Sequence, residues 1–276
     1  PVPLRMVSSA DYGRHVRDSG LSVSDPARMS EHVRGLFGDN APSVDSLAKV
    51  WGDEQGGVSV KMTRVDTAPG HITFKGLVTK DGRVIGETSR QIEKDTRGEL
   101  KAYHALYKIT YADDQGNGSG ARMLGQSVAA YKELGVTRVG VSPAWVGKYV
   151  WASFGYDVSP EQIDSLRAQL VPFLERHGIP RDRAQEHANN CRSLHHFADL
   201  DLTKDGDEAT PERPGLAIHH VSSTEQNRDG SKPEFDVHLG KRFLLKDGEW
   251  TGGYVDIKNR RSPSYERVKK RLGLKD

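Results

Sequence analysis

A glycine-rich turn between a predicted strand and a predicted helix constrains this chain more than any other feature. The run Gln115-Gly116-Asn117-Gly118-Ser119-Gly120 follows a long alternating segment and precedes an amphipathic one. Because glycine has no Cβ atom, the backbone amides of such a turn can approach a ligand closely. The free N–H groups and the dipole at the start of a helix favour anions. The pattern predicts a diphosphate-binding turn, and the alternative is a tight connection without a ligand.

Two common nucleotide-binding motifs do not fit this turn. Several predicted strands precede it, and Ser142-Pro143 follows the next predicted strand, where a Rossmann unit has an acidic residue. No Lys-Ser or Lys-Thr pair follows the glycines, as a Walker loop requires. The sequence therefore argues against both classes.

Hydrophobic periodicity predicts an α/β (α+β) chain. From Gly57 to Tyr111 apolar residues alternate, which predicts four strands with a hairpin turn at Asp81-Gly82. On the fourth strand, alternation places His104 and Tyr107 on opposite faces. Spacings of three and four predict a helix after Pro26 and another between Ala121 and Leu134. A short buried strand, Val136–Val141, follows the second of these helices.

The segment from Gly57 to Asp157 resembles the GNAT (N-acetyltransferase) superfamily. The resemblance rests on the hairpins, the long fourth strand, the motif Gln115-x-x-Gly118-x-Gly120 with its helix, and the ending Phe154-Gly155-Tyr156. It covers a little over a third of the chain. It implies a GNAT-like central mixed sheet with splayed fourth and fifth strands, helices on both faces, and an additional helical insertion.

The same resemblance implies acetyl-CoA as the co-substrate. The residues that would bind its pyrophosphate are Gln115, Gly116, Gly118, Gly120 and Ala121. The pantetheine arm would lie between the splayed strands, which implies contacts with Ile109 and Tyr111. Ser142 at the end of the fifth strand either hydrogen-bonds the pantetheine or caps the next turn.

Acyl transfer to an amine needs a neutral amine and a proton for the leaving thiolate. His104 is the predicted base, because the ordinary pKa of histidine suits proton transfer at neutral pH; the alternative is a hydrogen-bonded sheet residue. Glu99 at the start of the strand is the second candidate, acting through a water molecule. The resemblance implies a tyrosine acid four residues before Gly155, but Trp151 stands there, which leaves Tyr156 as a candidate acid.

The order of predicted elements, together with what the GNAT resemblance implies, predicts five segments. They are an N-terminal helical extension (1–56), a GNAT-like acyl-CoA-binding core (57–158), a helical and loop insertion (159–240), a C-terminal hairpin completing the sheet (241–257) and a basic tail (258–276). The strands of the predicted hairpin are Phe243–Leu245 and Trp250–Ile257.

Two groups of candidate metal ligands give weaker patterns. A helix predicted from Pro180 to Ala198 would place His187, Cys191 and His195 on one face, as in a zinc site, but cysteine is also a common core residue. The run from Asp201 to Glu212 resembles a calcium-binding loop, although prolines stand where its exiting helix would begin. We expect no metal ion.

Charge and cysteine content limit the classes of partner and the location expected for the chain. The net charge is +2, but residues 258–276 carry eight Lys or Arg and two Asp or Glu. A solvated basic helix is expected there, with phosphate or nucleic-acid contact as the alternative. The single cysteine, Cys191, excludes an intramolecular disulfide. Without an apolar run of membrane-span length or a recognisable signal peptide, a cytoplasmic protein without membrane contact is expected.

The leading hypothesis is an acyl-CoA-dependent N-acyltransferase that acetylates an amine of a protein or small molecule. The first alternative is a catalytically inactive GNAT-fold module that binds a partner, because Trp151 replaces the expected tyrosine. The second is a part of a phage or toxin-like assembly, because Gly147–Tyr156 resembles modules of such polypeptides and the chain begins at Pro1 rather than Met.

Overall fold

The computed structural model describes residues 3–116, 118–143, 147–202 and 219–274. It divides into two units. Unit 1 comprises Pro1–Gly140, Asp256–Arg261 and Leu272–Asp276, and unit 2 comprises Val141–Val255 and Ser262–Arg271. The division falls inside the segment predicted as one acyl-CoA-binding core. The chain is a mixed α/β structure in which helices flank a six-stranded sheet.

Unit 1 contains the N-terminal helices and most of the sheet. Its helices are α1 (Tyr12–Asp18), α2 (Pro26–Phe37), α3 (Val44–Ala48) and α4 (Ser119–Glu133). Its strands are β1 (Met6–Ser8), β2 (Asn40–Pro42), β3 (Val58–Ala68), β4 (His71–Lys80), β5 (Arg83–Lys94), β6 (Leu100–Ile109) and β7 (Val136–Val141), the last residue of which belongs to unit 2. Short 3₁₀ turns lie at Ser9–Asp11, Lys49–Trp51 and Ala112–Asp114.

Unit 2 is mainly helical. Its helices are α5 (Gly147–Phe154), α6 (Pro160–Arg176), α7 (Arg181–Asn190), α8 (Leu194–Ala198), α9 (Leu239–Lys246) and α10 (Pro263–Leu272). Its strands are β8 (His219–Ser222) and β9 (Glu234–Val237), which pair antiparallel, and β10 (Gly253–Asp256). In its core, the ring centroid of Phe243 lies 5.3 Å from that of Phe173 and 5.9 Å from that of Phe197. The last residues of β10 and α10 belong to unit 1.

The large sheet has the strand order β10-β7-β6-β5-β4-β3. Strands β3 to β6 form an antiparallel meander, as the period-two pattern predicted. The hydroxyl of Thr137 near the start of β7 donates to the carbonyl of Leu100 at the start of β6, at 3.2 Å. The two strands therefore run in the same direction, as expected when a helix connects neighbouring strands. Since β6 has ten residues and β7 six, β6 extends beyond β7 toward the glycine turn.

A β-bulge in β6 corrects the predicted orientation of its side chains. Ser89 pairs with Leu106 and Arg90 pairs with His104, so Ala105 is the extra residue. Beyond the bulge the alternation is reversed. The His104 ring packs beside α4, and the Tyr107 hydroxyl contacts a methionine sulfur of the same helix at 3.8 Å. His104 and Tyr107 therefore share a face, and the prediction of opposite faces was wrong.

One face of the meander is buried within unit 1. Ile72, Phe74 and Ile92 are inaccessible to solvent on this face. The 3₁₀ turn Lys49–Trp51 covers part of it, because the Trp51 ring lies edge-on to Phe74 with centroids 5.3 Å apart. Helix α4 is joined to this turn by a hydrogen bond from the Ser127 hydroxyl to the carbonyl of Val50. The opposite face exposes Lys75, Leu77, Glu87, Leu106 and Lys108.

Helix α2 begins as predicted. The Asp25 side chain accepts a hydrogen bond from the backbone N–H of Arg28, and Pro26 occupies the first helical position. This is a standard N-terminal cap. The buried residues of the helix are Met29, Val33 and Leu36, the spacing on which the prediction rested.

The predicted C-terminal hairpin (241–257) was wrong. Phe243–Leu245 belong to helix α9, and strand structure is confined to Gly253–Asp256. The buried residues of α9 are Leu239, Gly240, Phe243 and Leu244, which follow a helical spacing. A run of three apolar residues is too short to show whether its hydrophobic pattern is helical or extended. The side chain of His238 caps the helix by accepting a hydrogen bond from the N–H of Lys241.

The helix predicted from Pro180 to Ala198 is interrupted. Helix α7 ends at Asn190, and α8 begins at Leu194 with a capping box formed by Ser193 and His196. His187 and His195 therefore lie on different helices, and the predicted common face with Cys191 was wrong. Most of the calcium-like run Asp201–Glu212 lies outside the described residues.

Candidate functional site

The glycine turn has a backbone that requires glycine at two positions. Gly116 and Gly118 have φ values of +78° and +74°, a region that residues with a Cβ atom rarely adopt. Gly118 is the N-cap of α4 and supplies no side chain to cap the helix. Asn117, between them, lies outside the described residues.

The start of α4 is suited to an anion. The first intrahelical bond described here runs from the N–H of Arg122 to the carbonyl of Gly118, at 3.2 Å. By helix geometry, the N–H groups before Arg122 have no acceptor within the helix, and the dipole is positive at this end. A ligand with phosphate groups fits such a helix start.

Arg122 is a feature of the turn that the sequence analysis missed. A Cβ atom placed on Gly118 would lie 3.1 Å from Arg122 Nη1, and one placed on Gly56 would lie 3.5 Å from Nη2. The guanidinium group therefore lies beside the turn and adds a positive charge to the helix start. Its place one turn after the N-cap was the available signal, since a side chain on a helix points back toward the N-terminus.

An ion pair anchors the segment before the turn. Asp114, at the end of the 3₁₀ turn after β6, has a buried carboxylate that accepts from Arg83 Nη2 at 3.0 Å. Arg83 is the first residue of β5. The chain that leads into the glycine turn is thus held against the sheet.

Most of the predicted cofactor residues in unit 1 lie at this end of β6. Gln115 Nε2 donates to the carbonyl of Ile109 at 3.4 Å. Ile109 and Tyr107 pack on the apolar cluster of Val58, Val78 and Ile85. Tyr111 is 36% exposed. A Cβ atom on Gly120 would lie 3.8 Å from Tyr107 Cε1, so Gly120 faces β6.

The remaining predicted cofactor residues are Ala121 and Ser142. Ala121, the third residue of α4, is half-buried. Ser142 is exposed and belongs to unit 2.

His104 is buried beneath α4. It is 4% exposed, and its ring centroid lies 5.6 Å from that of Tyr131. Burial, and then the positive charge of Arg90, lower the pKa of His104 well below its ordinary value. The imidazole is therefore neutral at physiological pH, and its protonation is costly.

Arg90 is a second feature that the sequence analysis missed. It is 3% exposed, and its Nη1 atom donates to the Thr88 hydroxyl at 2.9 Å and to the carbonyls of Ser89 and Leu106 at 3.1 and 3.0 Å. These bonds join β5 to β6 beside the bulge. Arginine is rarely buried, and periodicity gave no sign of it.

The other two residues predicted for proton transfer are Glu99 and Tyr156. Glu99 Oε1 accepts from Lys258 Nζ at 2.6 Å, at the end of β6 opposite the glycine turn. Tyr156, in unit 2, is 1% exposed, and its ring lies edge-on to Trp151 with centroids 5.1 Å apart.

The described residues give little support for a metal site. Within the described ranges, no group of three or more His, Cys, Asp or Glu side chains could hold a metal ion. Cys191 is buried, and burial raises the pKa of its thiol to about 12, so the thiolate that a metal would need is strongly disfavoured.

The basic tail forms a packed helix rather than a freely solvated one. Tyr265 and Val268 of α10 are inaccessible to solvent. Arg267 forms an ion pair with Asp199 at 2.5 Å. Across the described part of the chain, no helix combines the length and apolar character needed to cross a bilayer.

Comparison with known proteins gives little further information. No protein-family model matches the sequence, and no curated protein matches it either. Among solved structures, the chain is similar to Arabidopsis thaliana Naa50 in complex with the bisubstrate analogue CoA-Ac-MVNAL, with a TM-score of 0.22 and 16% sequence identity. The similarity covers 25% of this chain and 45% of that one. A similarity at this level carries no argument about ligand or activity.

Proposed function

We propose that the chain is an acyl-CoA-dependent N-acyltransferase of the GNAT kind, with acetyl-CoA as donor and an amine as acceptor. The observation that carries the proposal is the start of α4, where a glycine N-cap, helix N–H groups without an acceptor within the helix, and the Arg122 guanidinium meet. The oxygen atoms of a diphosphate can accept hydrogen bonds from the N–H groups and the guanidinium, and its negative charge matches this positive end of the helix. The glycine leaves room for the diphosphate to approach the backbone. In this proposal the acyl-CoA-binding core is the segment 57–158.

The geometry of β6 supports a path for the pantetheine arm. Beyond its bulge, β6 continues past the end of β7 toward the turn, with Tyr107 and Ile109 on the side of α4. A thioester would then lie near the bulge at Ala105. Ser142 stays a predicted pantetheine contact.

In the proposed reaction the amine nitrogen attacks the thioester carbonyl carbon. The C–N bond forms, the C–S bond breaks, the nitrogen loses one proton to become the amide, and the thiolate of CoA leaves and takes up one proton, so the products are the amide and the CoA thiol. Because the pKa of His104 is lowered, this residue is a weaker base than its sequence position suggested. Holding the thioester and the neutral amine together therefore carries most of the proposed acceleration. Glu99 and Tyr156 stay predictions for proton transfer.

The first test is calorimetric titration with acetyl-CoA and CoA, with NAD as a control. We expect the first two to bind and NAD not to. Gly118→Val should abolish binding, because valine rarely adopts the positive φ of this position and its Cβ atom would lie 3.1 Å from Arg122 Nη1, a tight contact. Gly120→Leu should weaken binding without backbone strain, because its side chain would occupy space at the helix start facing β6, where Tyr107 Cε1 lies 3.8 Å from the Cβ position.

Gly70→Val is the matched control for these variants. Gly70 has a φ of +79° and lies in the turn between β3 and β4, with open space around its Cβ position. It imposes similar strain away from the proposed site, so acetyl-CoA should still bind. Unchanged binding to Gly118→Val and Gly120→Leu would show that the turn does not hold the cofactor.

Turnover separates an enzyme from a binding module. Release of the CoA thiol in the presence of a panel of amines can be followed directly, because the single cysteine of the chain is buried. Binding of acetyl-CoA without thiol release on any amine would favour the alternative, a catalytically inactive partner-binding module. The observation that favours this alternative is Trp151 at the position of the expected tyrosine.

A further inference from the structure

A cavity of about 650 Å³ lies in unit 1 at the end of β6 opposite the glycine turn. This volume is in the range of sites for small molecules. Strand β6 runs from Leu100, which lines the cavity, to Ile109 beside the turn. Ten residues of strand span about 30 Å, so the cavity is separate from the proposed acyl-CoA site.

The inner surface of the cavity is mainly apolar. Leu36 and Leu134 are buried side chains of its wall, and Phe37 and Leu100 are half-buried there. Met6 also lines the cavity and is 48% exposed. An exposed methionine over leucine side chains suits the apolar part of a ligand.

Two helices end at this cavity. Helix α2 ends at Phe37 and α4 ends at Glu133, and both residues line the wall. At the end of α4 the carbonyls of Ala130 and Lys132 accept from the N–H groups of Leu134 and Gly135. The C-terminal end of a helix nevertheless carries a partial negative charge from its dipole. Glu99 and Glu133 also line the cavity. The cavity therefore has several groups that attract a cation.

Two lysine side chains of the protein already neutralise part of the negative charge around the cavity. Lys94 Nζ donates to the carbonyl of Gly35 in the last turn of α2, at 2.7 Å. Lys258 Nζ donates to Glu99 Oε1, at 2.6 Å. Both lysines of the cavity are thus engaged. Among the described residues, the carboxylate of Glu133 at the end of α4 makes no hydrogen bond or ion pair.

We propose that this cavity binds a small primary amine with an apolar body. The ammonium group lies at Glu133 and the C-terminal end of α4, and the apolar body lies on Leu36, Leu100 and Leu134. An anionic ligand fits less well, because Lys94 and Lys258 already serve the end of α2 and Glu99. The site goes beyond the proposed acyl transfer and does not depend on it.

Methyl NMR tests the proposal with residue resolution. The chain has four methionines, of which Met6 lines the cavity and Met123 contacts Tyr107 beside the glycine turn. In protein labelled with ¹³C at the methionine methyl groups, 2-phenylethylamine should shift the Met6 signal to saturation and leave Met123 unmoved. The neutral 2-phenylethanol and the anionic 3-phenylpropionate should bind more weakly.

The decisive variant is Glu133→Gln. Because it removes the charge but keeps the shape, it should raise the amine concentration at half-saturation by about tenfold. Glu87→Gln, on the exposed face of the sheet in the same unit, is the matched control and should change nothing. A Met6 signal that does not respond to the amine, responds equally to 3-phenylpropionate, or is insensitive to Glu133→Gln overturns the proposal.

The test of amine binding can be separated from the test of acetyl-CoA binding. Acetyl-CoA should shift Met123 and not Met6, and Gly118→Val should remove that response while leaving the amine response of Met6 intact. Failure of the acetyl-CoA response therefore concerns the glycine turn, and failure of the amine response concerns the cavity.

Discussion

At the scale of single residues, a buried arginine organises the centre of the sheet. The Nη1 atom of Arg90 and the hydroxyl of Thr88 both donate to the carbonyl of Leu106. This carbonyl directly follows the bulge residue Ala105. The guanidinium is also close enough to His104 to lower its pKa. One side chain thus stabilises a backbone irregularity and, after burial, contributes to the lowered pKa of a neighbouring ring.

Replacing this arginine should raise the pKa of His104. In Arg90→Met the positive charge is lost, so the imidazolium is destabilised less; but burial is the larger cause, and the pKa should stay below its ordinary value. NMR titration of the histidine ring signals measures the change. Arg64→Met, at an exposed position on β3, should leave His104 unaffected. A pKa that falls, or does not move, would contradict the assigned cause.

At the scale of elements, two helical glycines have opposite surroundings. A Cβ atom on Gly240 in α9 would lie 2.2 Å from the carbonyl oxygen of Phe197 and 2.7 Å from that of Leu200. A Cβ atom on Gly35 in α2 would meet nothing within 4 Å. The first glycine permits close contact between α8 and α9, and the second has no such role.

Alanine substitution should therefore act in opposite directions at these positions. Gly240→Ala should lower the free energy of unfolding by about 1–3 kcal/mol, because the backbone carbonyls must move. Gly35→Ala should raise it by about 0.5–1 kcal/mol, because alanine restricts the unfolded chain and favours the helix. Urea denaturation of both variants measures the difference. Equal effects of the two substitutions would contradict the contact between α8 and α9.

The elements that were predicted correctly are those with long, regular patterns. The meander β3–β6, the capped helix α2 and the strand–turn–helix at α4 follow from periodicity and cap residues. The bulge at Ala105 has no pattern of its own, since it depends on pairing with β5. Helix α9 was mistaken for a strand because its apolar run is short, and its burial depends on distant residues such as Phe173.

At the scale of the whole molecule, histidine burial should set the acid sensitivity. Burial is the main cause of the lowered pKa values of His15, His104 and His196, and it lowers that of His195 to about 4. In the unfolded chain these side chains titrate near 6.5. Between pH 7 and 5 the unfolded state therefore takes up more protons than the folded state.

The free energy of unfolding should consequently fall as the pH is lowered from 7 to 5. Urea midpoints at the two values measure the effect, and His195→Gln should reduce the difference between them. Asp157, whose pKa is raised by burial, acts in the opposite direction. A midpoint at pH 5 equal to or above that at pH 7 would contradict the histidine contribution.

Some features of the candidate site were predicted from the sequence, and others were seen only in the structure. The glycine turn was recognised in the sequence from the motif Gln115-x-x-Gly118-x-Gly120, and its role in cofactor binding stays a prediction that the GNAT resemblance implies. Arg122 and Arg90 were not, because their roles depend on where the side chains lie, one beside a turn and one inside the sheet. The cavity lined by Met6 and Glu133 is formed by segments that are far apart in the sequence, so no local sequence pattern predicts it.

The division of the chain into units has a consequence for biosynthesis. Unit 1 includes residues 256–261, and the N–H groups of Ile257 and Lys258 donate to the carbonyl of Thr137. A ribosome delivers residues 141–255 in between, which takes about ten seconds at usual rates of translation. During that interval the start of β7 lacks these partners, and unit 1 acquires its final segments only after most of unit 2 has been made.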